Sequence, residues 1–132
     1  MRPIVHHIPV CPFSQRLKIL LTLKGQPDAV EFRVVDITRP REPELLAKTR
    51  GTTALPVLEL QGGRILKESL VILSYLDETV PGGLQRRTDP YEHAIEQLLI
   101  TQEGPFTGAG YLFVMNQDRE ARPGFEKRML DR

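Results

Sequence analysis

Three elements crowd into the first 34 residues, and their order limits what the chain can become. Pro3 to Ile8 is a short apolar run of strand length, closed by Pro9. Leu17 to Lys24 is rich in leucine and isoleucine, and Gly25 stands where a helix stop favours glycine. Val30, Phe32 and Val34 then alternate with Glu31 and Arg33, the period of two expected of a strand. A strand, a helix and a strand joined this closely predict a parallel pair with a right-handed crossover.

The next segment adds antiparallel pairing. Asp36 to Pro43 reads as a loop, with Pro43 the first residue of a short helix reaching Lys48. Val57 to Leu60 and Arg64 to Leu66 flank Gln61-Gly62-Gly63, whose glycines supply the positive-φ positions of a tight turn. Ser69 opens a helix with Leu70, Leu73 and Leu76 on one face, stopped by Pro81-Gly82-Gly83. The order βαβ-α-ββα is the thioredoxin-like arrangement, an α/β domain spanning residues 1–80. Residues 81–88 form a linker, polar from Gln85 to Thr88, and residues 89–132 begin an all-α domain. Asp89-Pro90-Tyr91-Glu92 combines an N-cap, a first-turn proline and an acid at the third position. Gly104-Pro105 is expected to kink or end that helix before Phe106, Ala109, Leu112 and Phe113 resume its spacing. Pro123 to Arg132 reads as a further helix just begun.

Composition excludes several classes of function. Eighteen basic residues balance 17 acidic ones, so there is no electrostatic footprint for nucleic acid. No apolar run approaches a membrane span, and the N-terminus lacks the pattern of a signal peptide. One cysteine allows no internal disulfide, which fits a reducing, cytoplasmic setting. His6 and His7 are adjacent on a strand and point to opposite faces, so no metal site is expected from them.

That cysteine, Cys11, sits where the first strand gives way to the first helix. Unpaired N–H groups and the positive end of the helix dipole meet its sulfur, an arrangement that makes a thiol a nucleophile. Ser14 follows three positions on, placed to donate a hydrogen bond to the sulfur but unable to resolve a mixed disulfide as a second cysteine would. Leu55-Pro56 enters the hairpin, where a proline at a strand start accommodates a cis peptide and leaves backbone groups unpaired for an extended peptide. Glu68-Ser69 opens the third helix; its N-terminus suits a carboxylate, and Glu68 suits an ammonium. A ligand with a thiol, a peptide backbone and an amine-plus-carboxylate end engages all three features.

The chain resembles glutathione transferases, the omega class above all. The resemblance runs through Cys11-Pro12-Phe13, Leu55-Pro56-Val57-Leu58-Glu59, Glu68-Ser69, Tyr75-Leu76-Asp77-Glu78 and Pro81-Gly82, and into Asp89-Pro90-Tyr91-Glu92. It implies glutathione as co-substrate, with Cys11 forming a mixed disulfide to it. It further implies that Leu55, before a cis Pro56, pairs with the cysteinyl backbone, that Glu68 and Ser69 hold the γ-glutamyl end, and that Phe13 and Ser14 line the same site. Where the omega pattern carries a lysine for the glycyl carboxylate, this sequence has Glu42, so the role passes to Arg41 or Lys48. The family's complete helical domain is longer than the helical part here, and the chain is read as an N-terminal portion.

The implied activity is that of a glutathione-dependent thiol transferase or reductase, of the dehydroascorbate reductase type, acting on a small electrophilic or disulfide substrate. A homodimer is the implied assembly, and the stripes at Leu98, Leu99, Leu112 and Phe113 suggest self-association. The alternative is a non-catalytic binding module on the same fold, because Cys11 to Arg16 also resembles chloride intracellular channel proteins, and stringent-starvation-type proteins reuse the scaffold.

Overall fold

A computed structural model describes residues 1–83 and 89–131, so the expected linker at Gln85 to Thr88 lies outside the described residues. The chain divides into two compact units, Met1–Leu84 and Gln85–Arg132.

In the first unit, Ile4–His7 (β1) pairs in parallel with Glu31–Val34 (β2), joined by the helix Pro12–Leu23 (α1). Helix α1 ends where Gly25 takes φ 68°, letting the N–H groups of Gly25 and Gln26 return to the carbonyls of Thr22 and Leu21. A six-residue helix, Pro43–Lys48 (α2), follows. Val57–Glu59 (β3) then runs antiparallel to β1 and to Ile65–Leu66 (β4), giving the sheet order β2-β1-β3-β4. The turn between β3 and β4 uses Gly62 and Gly63 at φ 80° and 77°, as its two glycines require. Ser69–Thr79 (α3) completes the unit. This mixed sheet with its helices is the thioredoxin-like fold that the element order predicts.

Strand periodicity divides the sheet into two unlike faces. Val5 and Leu58 join Leu17, Leu21, Ile72 and Leu76 in a buried apolar layer beneath α1 and α3. Burying each such side chain contributes about 1.5–3 kcal/mol before chain entropy is counted. The Lys24 ammonium ties these helices together, 2.7 Å from Asp77 Oδ1 and 2.8 Å from its carbonyl. Gly82, at φ 123°, passes so close to the Lys24 carbonyl that a Cβ there would collide with it. The opposite face carries His6, Arg33 and Glu59 beside α2.

In the second unit, Pro90–Met115 (α4) starts as expected: the Asp89 carboxylate accepts the Glu92 N–H at 3.0 Å. The expected interruption at Gly104-Pro105 does not end it, and α4 runs through Pro105 as one helix of 26 residues. A proline removes one N–H from the ladder, and packing beyond it, where Ala109 is buried and α4 lies against Arg122–Leu130 (α5), carries the helix on. No helix among the described residues is long and apolar enough to cross a membrane.

Candidate functional site

The chain leaving β1 turns through Ile8 and Pro9, and the Cys11 N–H closes that turn on the Ile8 carbonyl at 3.1 Å. Gln15 pins it further by donating to the Pro9 carbonyl. Cys11 is thereby fixed as the N-cap of α1, with extended backbone at φ −75° and ψ 121°. Its carbonyl accepts the N–H groups of Ser14 and Gln15, and its thiol is partly exposed. No acidic residue occupies the first turn of α1, so no carboxylate competes with the sulfur for the positive end of the helix. Phe13, half-buried, has the Arg16 guanidinium 5.2 Å from its ring centre.

Sheet register brings the other expected features to the same end. His6 lies opposite Val57, and Leu58 opposite Leu66. Continuing those registers sets Pro56 between His7, before the Cys11 turn, and Glu68, after β4. The Leu55–Pro56 peptide is cis. Pro56 is buried and Leu55 half-buried, and neither the N–H nor the carbonyl of Leu55 has a hydrogen bond to a described residue. An unpaired backbone edge therefore stands at the same end of the sheet as the cysteine turn.

Glu68, not Ser69, is the N-cap of α3, and Ser69 is the first helical residue. Neither side chain caps the helix, although Ser69 was the residue expected to do so. Glu68 adopts φ 67° and ψ 115°, a conformation sparsely populated by residues other than glycine. Its carboxylate is exposed at the mouth of the helix.

One expected contact is corrected. Ser14 is completely buried, and its hydroxyl bonds neither to Cys11 nor to any other described group. The helical period explains this: Ser14 shares the sheet-facing side of α1 with Leu17 and Leu21 and is turned inward with them. The Lys48 ammonium is held between Glu59 and Glu44, 2.8 Å from each. It lies with Arg41 and Glu42 on a cavity of about 290 Å³ on the α2 side of the sheet. Arg41 donates from Nη2 to the Thr53 carbonyl at 3.1 Å, two residues before Leu55. Its Nε and Nη1 are buried without an acceptor among the described residues.

Sequence reasoning missed the network on that face. His6 Nε2 lies 2.8 Å from Glu59 Oε2, whose other oxygen binds Lys48. Lys48 first and His6 second hold the Glu59 carboxyl below its ordinary value. The signal was an acid at the end of an apolar strand, but its partner lies 53 residues away. His7, on the opposite face, packs edge-on against Phe32 with ring centres 5.1 Å apart. Burial, with the nearby Lys18 charge, holds the His7 imidazole below its ordinary value, so it is neutral.

Comparison with known proteins agrees with this geometry. Residues 5–84 match the family profile described as glutathione S-transferase, N-terminal domain. Glutathione S-transferase omega-1 of Sus scrofa is 33% identical over 96 residues, covering 73% of this chain and 38% of the relative. Glutathione S-transferase U7 of Arabidopsis thaliana is 42% identical over 84 residues, covering 64% of this chain and 35% of the relative. The crystal structure of glutathione transferase Omega 3C from Trametes versicolor superposes with a TM-score of 0.80 at 20% identity, covering 99% of this chain and 58% of that one. The chain thus spans half or less of the length of the curated relatives it matches. With the fold and the family match in agreement, the chain belongs to the glutathione S-transferase family.

Proposed function

We propose that the chain is the glutathione-binding part of a thiol transferase or reductase that works through a mixed disulfide on Cys11. The observation that carries this reading is the position of the chain's single cysteine, half-buried at the N-cap position of α1 and at the same end of the sheet as the unpaired Leu55 backbone. The Cys11 thiolate attacks the glutathione sulfur of a mixed disulfide substrate; the new S–S bond forms as the old one breaks, and the substrate thiolate leaves and takes a proton. A second glutathione thiolate then attacks the Cys11 adduct, releasing glutathione disulfide and returning the thiolate. With one cysteine in the chain, the resolving thiol comes from outside.

Glutathione lies with its cysteinyl backbone on Leu55, its γ-glutamyl end on Glu68 and Ser69, and its body beside Phe13. Arg41 takes the glycyl carboxylate, because Lys48 is already paired with Glu44 and Glu59. A reducing, cytoplasmic compartment suits a lone catalytic thiol. Cys11→Ser is expected to abolish thiol transfer and the glutathione adduct seen by mass spectrometry, with an unchanged circular dichroism spectrum. Full activity in Cys11→Ala sinks the mechanism, and failure to be retained on immobilised glutathione favours a non-catalytic module instead.

The second unit supports a further reading, that the protein self-associates as a homodimer. Leu98, Leu99 and Leu112 are more than half exposed. Light scattering is expected to give a mass above that of one chain, and a monodisperse monomer at high concentration counts against it.

A further inference from the structure

We propose that a cleft between the end of α2, the β3–β4 hairpin and Tyr75 of α3 is a second ligand site, for a phosphate monoester of nucleotide size. The cleft has a volume of about 660 Å³, and Lys48, Arg50, Arg64 and Lys67 line it with no carboxylate among its described residues. Two of these cations are already engaged. Lys48 is paired with Glu44 and Glu59, and Lys67 donates to the Thr49 carbonyl and, at 2.7 Å, to the Thr52 hydroxyl. The side chains of Arg50 and Arg64 are exposed and form no hydrogen bond or ion pair with any described residue. Two guanidinium groups without a counter-charge of their own raise the local potential, and an anion relieves it.

The backbone of Arg50 is the second observation. Helices α1 and α2 end in the same way: the N–H groups of Gly25 and Gln26 return to Thr22 and Leu21, and those of Arg50 and Gly51 return to Ala47 and Leu46. The α1 end places Gly25 in the left-handed region at φ 68°, and the α2 end places two residues there, Arg50 at φ 54° and then Gly51 at φ 79°. Glycine adopts that conformation freely, whereas a residue with a Cβ is strained in it. The dipole of α2 does not call for an arginine there, because Lys48 already supplies a cation in its last turn. A long cationic side chain held at a strained position on the rim of a basic cleft is a functional placement.

The cleft is too large for phosphate alone. Leu60, Ile65 and Leu66 form an apolar wall, and the Tyr75 ring completes it. Arg50 and Arg64 bind the phosphate oxygens, and the wall takes the aromatic body of the ester.

Calorimetric titration of the full chain with adenosine 5′-monophosphate, and separately with inorganic phosphate, tests this. The ester is expected to bind one to one and at least tenfold more tightly than phosphate, and Arg64→Gln is expected to weaken it about tenfold. Arg50→Gly is expected to weaken it by about as much while the melting temperature stays the same or rises, because glycine removes the strain. That combination separates a lost ligand contact from a damaged fold. Absence of binding at millimolar ester, or equal affinity in both variants and the parent chain, overturns the site. Equal affinity for phosphate and the ester overturns the role of the apolar wall and leaves a site for free phosphate.

Discussion

On one side of the sheet, Val5 and Leu58 are sealed under α1 and α3; on the other, His6 and Glu59 lie under a helix of only six residues. The first side is held by area removed from water, which has no preferred direction and little dependence on pH. The second is held by a chain of hydrogen-bonded polar and charged groups from His6 through Glu59 and Lys48 to Glu44. Its strength depends on the ionisation of each member and on its partner being in place. The fold therefore concentrates its stability on the side that carries α1, and with α1 the Cys11 turn. The α2 side is left softer and conditional.

The largest expected effect falls on the apolar side. Leu58→Ala empties a completely buried position between β1 and β4, and should destabilise the first unit by about 2–5 kcal/mol in urea unfolding. Glu59, its sequence neighbour, faces the other way, and Glu59→Gln should cost less, about 1–2 kcal/mol. A loss from Glu59→Gln equal to that from Leu58→Ala breaks the comparison, because the charged face would then be holding the fold as firmly as the core.

How much of this was legible in the sequence follows from the range over which each feature is determined. The α1 stop at Gly25, the Asp89 cap and the Gly62-Gly63 turn are local choices of a few residues, and each stands where the sequence placed it. Cys11, Leu55-Pro56 and Glu68 were read as short motifs, and sheet register brings them to one end of the sheet. Ser14 was misread because proximity to Cys11 in sequence was weighed above the phase of the helix, which turns it inward with Leu17 and Leu21. Of the two outcomes expected at Gly104-Pro105, an end to the helix was not met, because that local cost was weighed without the packing that offsets it. The His6–Glu59–Lys48 network and the left-handed Arg50 were not legible, since the first needs the pairing of distant strands and the second the geometry of a helix end.

The smallest effect separates the two faces by pH rather than by size. Glu59 has its folded value held below the ordinary 4.5 by Lys48 and His6. Above 4.5 its ion pairs contribute in full. As pH falls through that value, the unfolded chain takes up the proton first, and stability declines until the folded carboxyl is protonated too. His7, on the helix-covered face, has its folded value held below 6.5 by burial and by Lys18. Above 6.5 it is neutral in both states and has no effect on the balance. As pH falls below 6.5, the unfolded imidazole is protonated while the buried one is not, so stability declines in that earlier window. Urea midpoints followed from pH 8 downward should therefore fall in two stages, and the two substitutions should act on different ones. Glu59→Gln should reduce the fall that begins near 4.5, the ordinary value of its carboxyl, and leave the part that Glu44 and Asp36 contribute. His7→Phe, which keeps a ring against Phe32, should flatten the fall that begins near 6.5 and leave the lower one in place. A profile unchanged by His7→Phe would mean that the apolar face contributes no pH dependence, and the division between the two sides would then be complete.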